Sequence, residues 1–272
     1  MKIKIEDDFD LSKIAESGQC FRFNAAADGY NCTALDKSLF IRSCDDKEYE
    51  LDCSEDEYNF FWKEYFDLNL DYGSIRARID KRDDEYLYKA SEFGKGIRIL
   101  KQDPWEMLIS FIISQRKNIP AIKASIEKLC AMAGEVIKED ISGNPVYSFP
   151  TPEKLAALSL DQLSGCSLGY RDKYVQKAAR DVADGKVDLK AWNNLGDEEL
   201  MDELLKLFGV GVKVANCEIL FGYHRLDAFP KDVWINRVLE NHYPDGFLFE
   251  KYAPYNGIMQ QYLFFYGRLS SG

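Results

Sequence analysis

What this 272-residue sequence lacks narrows its class before any motif is read. Histidine is nearly absent: His224 and His242 are the whole supply, both late, and they give no metal-ligand pattern. The seven cysteines are an odd number at irregular spacing, with no Cys-x-x-Cys pair, which argues against a disulfide framework and fits reduced thiols. No apolar run approaches the length needed to cross a bilayer. The opening MKIKIEDDFD has no apolar core of the kind a secretion signal carries, so an intracellular protein is expected, cytoplasmic and at the nucleoid if the source is prokaryotic. Positive charge is also short, with 35 Lys and Arg against 46 Asp and Glu and a net charge of −11. That excludes a general polyanion-coating protein. A nucleic-acid enzyme remains compatible only if the acids lie away from its working face, and the clusters Asp45-Asp46, Glu55–Glu57 and Asp83–Glu85 all fall in the first third.

What is present supports a substantial core, since 46% of residues are hydrophobic and 14% aromatic. The length suggests two or three subdomains. The expected fold class is α+β, with an N-terminal antiparallel β-subdomain over 1–98 and a mostly α-helical core over 99–272. Short apolar or β-branched runs at Met1–Ile5, Cys20–Phe23, Asn31–Leu35 and Ser38–Arg42 read as strands, with turns at Gly29 and Asp36-Lys37. Gly18 is read as opening one of these strands. Ser54–Glu57 resembles a capping box opening a helix to about Phe66, whose stripe Tyr58, Phe61, Trp62 and Tyr65 reads as core. Ile75–Leu87 and Leu87–Phe93 read as charged helix, and Glu139–Thr151 as loop. Asp103-Pro104 is an N-cap followed by proline at the first helical position, opening a helix through Trp105–Ser114. The polar loop Gln115-Arg116-Lys117-Asn118 follows, then a helix over about Ile119–Ala133.

The stretch Asp197–Asn236 carries the chemistry. An amphipathic run, Glu199–Phe208, ends at Gly209-Val210-Gly211, and a second apolar run begins at once. Two glycines permit a tight reversal and leave backbone N–H groups uncovered at a helix start, where an anion such as a nucleic-acid phosphate is favoured. Lys213 lies in the first turn of the second helix, and an amine there can act as a nucleophile. Cys217, four residues on, shares its face. A helix from Gly211 to Gly222 is about 18 Å long, and the loop Tyr223–Lys231 reaches roughly 30 Å when extended. Asp232 can therefore return to the Lys213 end, capping the next helix. An amine and a carboxylate beside a phosphate-binding hairpin suit attack on a sugar carbon.

LFGVGVKVANC followed by FPKDVWI resembles the helix–hairpin–helix/Gly-Pro-Asp superfamily of DNA glycosylases, and the lysine is similar to that of the branch that also nicks DNA. SGQCFRF at 17–23, QDPWEMLISFIISQRKNI at 102–119 and LGYRDKYV at 168–175 resemble the 8-oxoguanine DNA glycosylases in particular. The resemblance implies excision of 8-oxoguanine from duplex DNA by base flipping, Schiff-base chemistry through Lys213 assisted by Asp232, and β-elimination at the abasic site. It implies a Gly18 carbonyl that accepts from the lesion's N7–H. Normal guanine carries an acceptor at N7 and would leave that carbonyl unpaired. It further implies a base pocket of Phe111, Cys217, Pro230, Gln260 and Phe264, with Gln260 on the Watson–Crick edge and the ring between Phe264 and Cys217. DNA contacts are implied at Arg116, Lys117, Asn118, Tyr170, Arg171, Gly209 and Gly211, Tyr170 as a wedge and Arg171 as reader of the orphaned base.

This chain departs from the family's pattern in places. Arg116 and Lys117 stand within a triplet usually rich in asparagine, so the gap-filling residue stays open among Arg116, Lys117 and Asn118. Ala121 stands where an arginine often reads the opposite cytosine, so a strict demand for cytosine is not expected. Trp234 stands in place of a phosphate-contacting histidine. No cysteine follows Cys217, so no iron–sulfur cluster is expected, and no metal or organic cofactor is required, although a cation on the hairpin carbonyls stays open. The expected partner is double-stranded DNA, met by a monomer, with no membrane. Taken singly, the hairpin is a bundle turn, Lys213 a surface lysine, Asp232 a helix cap, Phe111 and Phe264 core, and Gln260 surface. A glycosylase for another damaged base and a non-catalytic DNA-binding module are the two rival readings.

Overall fold

The computed structural model describes residues 1–45, 47–140 and 143–269; Asp46, and Ile141 and Ser142 of the expected 139–151 loop, lie outside the described residues. Five antiparallel strands form the N-terminal sheet: β1 (Lys2–Lys4), β2 (Phe23–Ala26), β3 (Gly29–Ala34), β4 (Lys37–Ser43) and β5 (Glu48–Leu51), in the order β1-β5-β4-β3-β2. Alternation places Leu39 and Ile41 of β4 fully inside while Arg42 faces outward to Glu50 and Asp28. The buried face packs on Phe9, Trp62, Tyr65 and Phe66, with Phe9 and Phe66 edge-to-face at 5.4 Å. Trp62 and Tyr65 of the expected aromatic stripe are buried, and Phe60 beside them is 85% exposed.

Three expectations need correction. The run at Cys20–Phe23 enters the sheet only at Phe23; before it stands a helix, Leu11–Glu16, capped by Asp10, and Gly18 lies in the bend behind that helix at φ 77°. Asp10 satisfies the Lys13 N–H at 3.1 Å and so caps this short helix, which none of the expected strands covers. Ile75–Leu87 is no continuous helix: Tyr72–Arg76 ends, and Glu85–Phe93 restarts on an Asp84 cap. The 139–151 segment is not all loop, because Val136–Glu139 pairs with Pro145–Tyr147.

The helical part is built around Pro104–Ser114, whose residues from Glu106 to Ser114 are all buried. Asp103 accepts from the Glu106 N–H at 2.9 Å and Pro104 occupies the first turn. Ile119–Ala133, Asp172–Ala183 and Val212–Phe221 pack against this helix, while the C-terminal helix Asn256–Leu269 packs on Glu85–Phe93 and Val233–His242. The helical core thus takes in Tyr72, Ile75, Ile79, Leu87 and Ala90 from the N-terminal third.

Arg98 joins the two parts and is fully buried. Its guanidinium donates to the carbonyls of Phe66 (3.1 Å), Asp67 (2.6 Å), Leu70 (2.6 Å) and Asp8 (2.8 Å) and to the Asp7 carboxylate (2.8 Å). It also lies 4.1 Å from the Tyr72 ring centroid. Removing the charged group strands these buried acceptors together. Arg98→Met, which keeps an unbranched apolar stem, is expected to destabilise the fold by about 3–5 kcal/mol, measured as a lower urea midpoint with the slope unchanged.

Candidate active site

The hairpin is formed by the helices Asp197–Leu205 and Val212–Phe221. Leu200 and Leu204 of the first are buried, as are Val214, Ala215 and Cys217 of the second. Only one of its two glycines is demanded by conformation. Gly209 has φ 87°, and a Cβ there would stand 2.3 Å from the Tyr174 ring. Gly211 has φ −107° and nothing within 4 Å of an added Cβ, so its role as a second obligatory turn glycine is withdrawn; it is the N-cap of the following helix. The Gly209 and Gly211 N–H groups donate no hydrogen bond among the described residues, and Phe208 and Val212 flank them as exposed apolar side chains. Gly209→Ala is expected to cost about 2 kcal/mol or more, from the left-handed backbone and a displaced Tyr174. Gly211→Ala should cost no more than about 1 kcal/mol, and paired thermal melts check the difference.

A cleft of about 760 Å³ opens beside the hairpin, within the usual size for a small-molecule site. Lys213 and Asp232 both line it, with Gly18, Phe21, Phe111 and Phe264 among the other walls. Lys213 Nζ stands 5.3 Å from the Phe111 ring centroid. Phe111 is also core, stacked on Phe221 at 5.4 Å and edge-to-face with Phe21 at 5.6 Å. Burial pushes the Cys217 thiol up, and the Lys213 amine, one turn away on the same helix face, pulls it down. Asp232 caps the helix Val233–His242, its Oδ1 accepting from the Ile235 N–H at 2.8 Å. Lys213 and Asp232 form no ion pair with each other, so among the described residues the amine is not locked onto the carboxylate.

Gln260, Pro230 and Cys217, expected in the base pocket, are buried and do not line the cleft. Gln260 is buried, donating Nε2 to the Pro230 carbonyl at 2.9 Å and accepting from Gln261 at 3.0 Å, which fixes its amide. Read from spacing alone as a surface residue, it is drawn inside by this chain of partners. Phe264 is partly exposed to the cleft rather than fully packed. Trp234 also lines the cleft, its ring 5.2 Å from the Arg237 guanidinium.

The loop after Pro104–Ser114 sorts its own candidates. Asn118 is occupied as an N-cap, accepting from the Ala121 N–H at 2.9 Å. Lys117 Nζ donates to the Ser167 carbonyl at 2.6 Å and to Ser125 Oγ. Arg116 is exposed at φ 51° and has no hydrogen bond or ion pair among the described residues. Arg171, expected as a base reader, is buried, donating to the carbonyls of Gln115 (Nε at 2.8 Å) and Leu168 (2.9 Å), while Tyr170 beside it is exposed. Gln115 went unassigned in the sequence: its Nε2 donates to the Gly209 carbonyl at 3.0 Å and its own carbonyl receives Arg171. It ties the loop, the hairpin and the Tyr170 turn into one surface, through contacts 94 and 56 residues apart that no local spacing signals.

The charge deficit resolves here. Among the described residues, Arg116, Lys117, Lys213, Lys231 and Arg268 line the cleft against Asp232 as its one carboxylate. A second cleft, near the first turn of Pro104–Ser114 and about 16 Å away along that helix, carries Asp36, Asp103, Glu106, Glu135, Glu153 and Asp188. Burial pushes the Glu106 carboxyl up to about 7 there.

A family profile described as "8-oxoguanine DNA glycosylase, N-terminal domain" matches residues 2–108, and one described as "HhH-GPD superfamily base excision DNA repair protein" matches residues 109–246. The Saccharomyces cerevisiae "N-glycosylase/DNA lyase" is 30% identical over 258 residues, spanning 86% of this chain and 68% of that protein. The structure of a Clostridium acetobutylicum 8-oxoguanine glycosylase/lyase, in complex with double-stranded DNA containing cytosine opposite 8-oxoguanine, superposes with a TM-score of 0.90 at 34% identity, over 100% of this chain and 99% of that one. MBOgg1, solved with a low-affinity DNA ligand, gives a TM-score of 0.93 at 37% identity, over 100% and 96% of the two chains. With both profiles matched end to end and the lysine–aspartate cleft at the hairpin, the chain belongs to the 8-oxoguanine DNA glycosylase family of the HhH-GPD superfamily.

Proposed function

We propose that this protein is a bifunctional DNA glycosylase that excises 8-oxoguanine from duplex DNA and cleaves the strand at the resulting abasic site. The observation that carries the reading is Lys213 and Asp232 on one cationic cleft whose other walls include Gly18 and Phe264. The lesion is flipped from the stack into the cleft. The Lys213 amine attacks C1′, the glycosidic bond breaks with its electron pair leaving on the base, and the base takes up a proton. Asp232 stabilises the cationic sugar and assists proton movement. Ring opening gives a Schiff base, and loss of a C2′ proton expels the 3′ phosphate. Phosphate is held by the uncovered hairpin N–H groups.

Arg116 is the residue we assign to the gap in the duplex, because Asn118 and Lys117 are already engaged. Tyr170 is exposed enough to wedge the neighbouring step, and Arg171 reads the orphaned base only after giving up its carbonyl partners. The enzyme is assigned as an intracellular monomer, with a β-rich unit over 1–98 and the glycosylase core over 99–272. Among the described residues no helix is long and apolar enough to cross a membrane.

Borohydride trapping on a duplex with one 8-oxoguanine, against an undamaged duplex, tests the reading. A covalent adduct only on the damaged duplex is expected. Base release without an adduct would replace the amine by water. Neither release nor adduct would move the assignment to another lesion or to a binding module.

A further inference from the structure

Arg268 is a cleft cation that takes no part in the proposed chemistry. Arg268, in the last turn of Asn256–Leu269, lines the cleft with Lys213 and Asp232. It lies four residues beyond Phe264, on the same helix face. Its guanidinium carbon is 5.3 Å from the Phe264 ring centroid and 5.9 Å from that of Phe265. The same guanidinium donates Nη2 to the Glu16 carbonyl at 2.6 Å. Glu16 ends the helix Leu11–Glu16, and Gly18 follows in the bend behind it. Gly18 in turn faces Phe264: a Cβ there would sit 3.2 Å from Phe264 Cε1. One planar group therefore grips the chain entering the Gly18 bend and lies against the ring that Gly18 faces. Burial draws the Arg268 guanidinium down from its ordinary range, and the carboxylates of Glu16 and Asp232 partly pull it back.

We infer that Arg268 is a positioning residue for base recognition: it sets the spacing between the Gly18 backbone and the Phe264 ring, and through that spacing the preference for the damaged purine over guanine. This rests on the function proposed above. A single carbonyl discriminates through one hydrogen bond, whose strength falls steeply with distance and angle. A wall loosened by a fraction of an ångström blunts that preference without touching the amine that does the chemistry. Lysine cannot stack a planar fork on Phe264 while also gripping the Glu16 carbonyl.

The test compares wild type, Arg268→Ala and Arg268→Lys under single turnover on three duplexes, carrying 8-oxoguanine, a preformed abasic site or no damage. Cleavage at the abasic site needs Lys213 but no base in the pocket. Arg268→Ala is expected to slow 8-oxoguanine release at least about tenfold more than it slows abasic-site cleavage, the scale at which small misplacements are felt. Its ratio of 8-oxoguanine to guanine release should fall in parallel. Arg268→Lys should fall between, and it carries the measurement if the alanine variant does not fold. Equal slowing on both damaged duplexes, or no slowing on either, overturns the inference. A folded wild type that releases no 8-oxoguanine overturns the glycosylase reading and this inference with it, and only that outcome shows in the wild-type lanes.

Discussion

Lys213→Gln is expected to abolish the borohydride-trapped adduct and to lower strand cleavage by roughly 10⁴-fold or more, the scale on which loss of a covalent nucleophile is felt. The fold should tolerate the change. Lys213 is partly exposed, its Nζ stands over the Phe111 ring, and no ion pair depends on it among the described residues. A glutamine stem keeps much of the apolar contact and removes the amine. The thermal midpoint should therefore stay near wild type while chemistry stops, which separates a nucleophile from a packing residue. The cleft holds two other primary amines, those of Lys117 and Lys231. A trapped adduct that survives in Lys213→Gln would transfer the nucleophile to one of them. Lys231 would be the first to examine, because Lys117 is held by Ser125 and Ser167.

Asp232→Asn should separate the two tasks of this residue. The observed bond from Ile235 N–H to Oδ1 shows Asp232 capping a helix, which alone would account for an aspartate here. Asparagine caps about as well, so Asp232→Asn should change stability by less than about 0.5 kcal/mol, whereas Asp232→Ala should cost about 1 kcal/mol. If the carboxylate also stabilises a cationic sugar, Asp232→Asn should lower the single-turnover rate by about 10²–10³-fold, as loss of one preorganised electrostatic partner does. An Asp232→Asn protein with the wild-type rate would reduce Asp232 to a cap. Thermal melts and burst kinetics on the same samples give both readouts.

Much of the site was legible because its signals are local. An N-cap lies within one turn of the amide it serves, so Asp103 and Asp232 could be read from three or four residues of sequence, and each accepts the bond its position implies, whereas Asn118, read as a DNA contact, turns out to be a cap as well. The hairpin was legible for the same reason, since two apolar faces of helical period meet at a glycine that must take a left-handed backbone. Where local signals conflict, the structure decided. Apolar content at Cys20–Phe23 suggested strand, but the Asp10 cap and the Gly18 bend set a helix before it. Gly211 looks like Gly209 in the sequence and differs from it in φ and in the open space around it.

By itself, the sequence determined the class: helix–hairpin–helix, an amine at the start of the second helix, and a carboxylate able to come back to it. Tertiary structure alone decided which charges matter. Arg98, Arg116, Arg171 and Arg268 are interchangeable letters in composition. One is buried on four carbonyls, one is exposed at the loop tip, one is committed to Gln115, and one joins the Glu16 carbonyl to the Phe264 ring. Nor could a net charge of −11 reveal a cleft lined, among the described residues, by five cations and one carboxylate. The reason is physical: caps and helical periods act over one turn of chain, whereas the burial of a guanidinium and the local sign of the field depend on groups brought together from opposite ends of it.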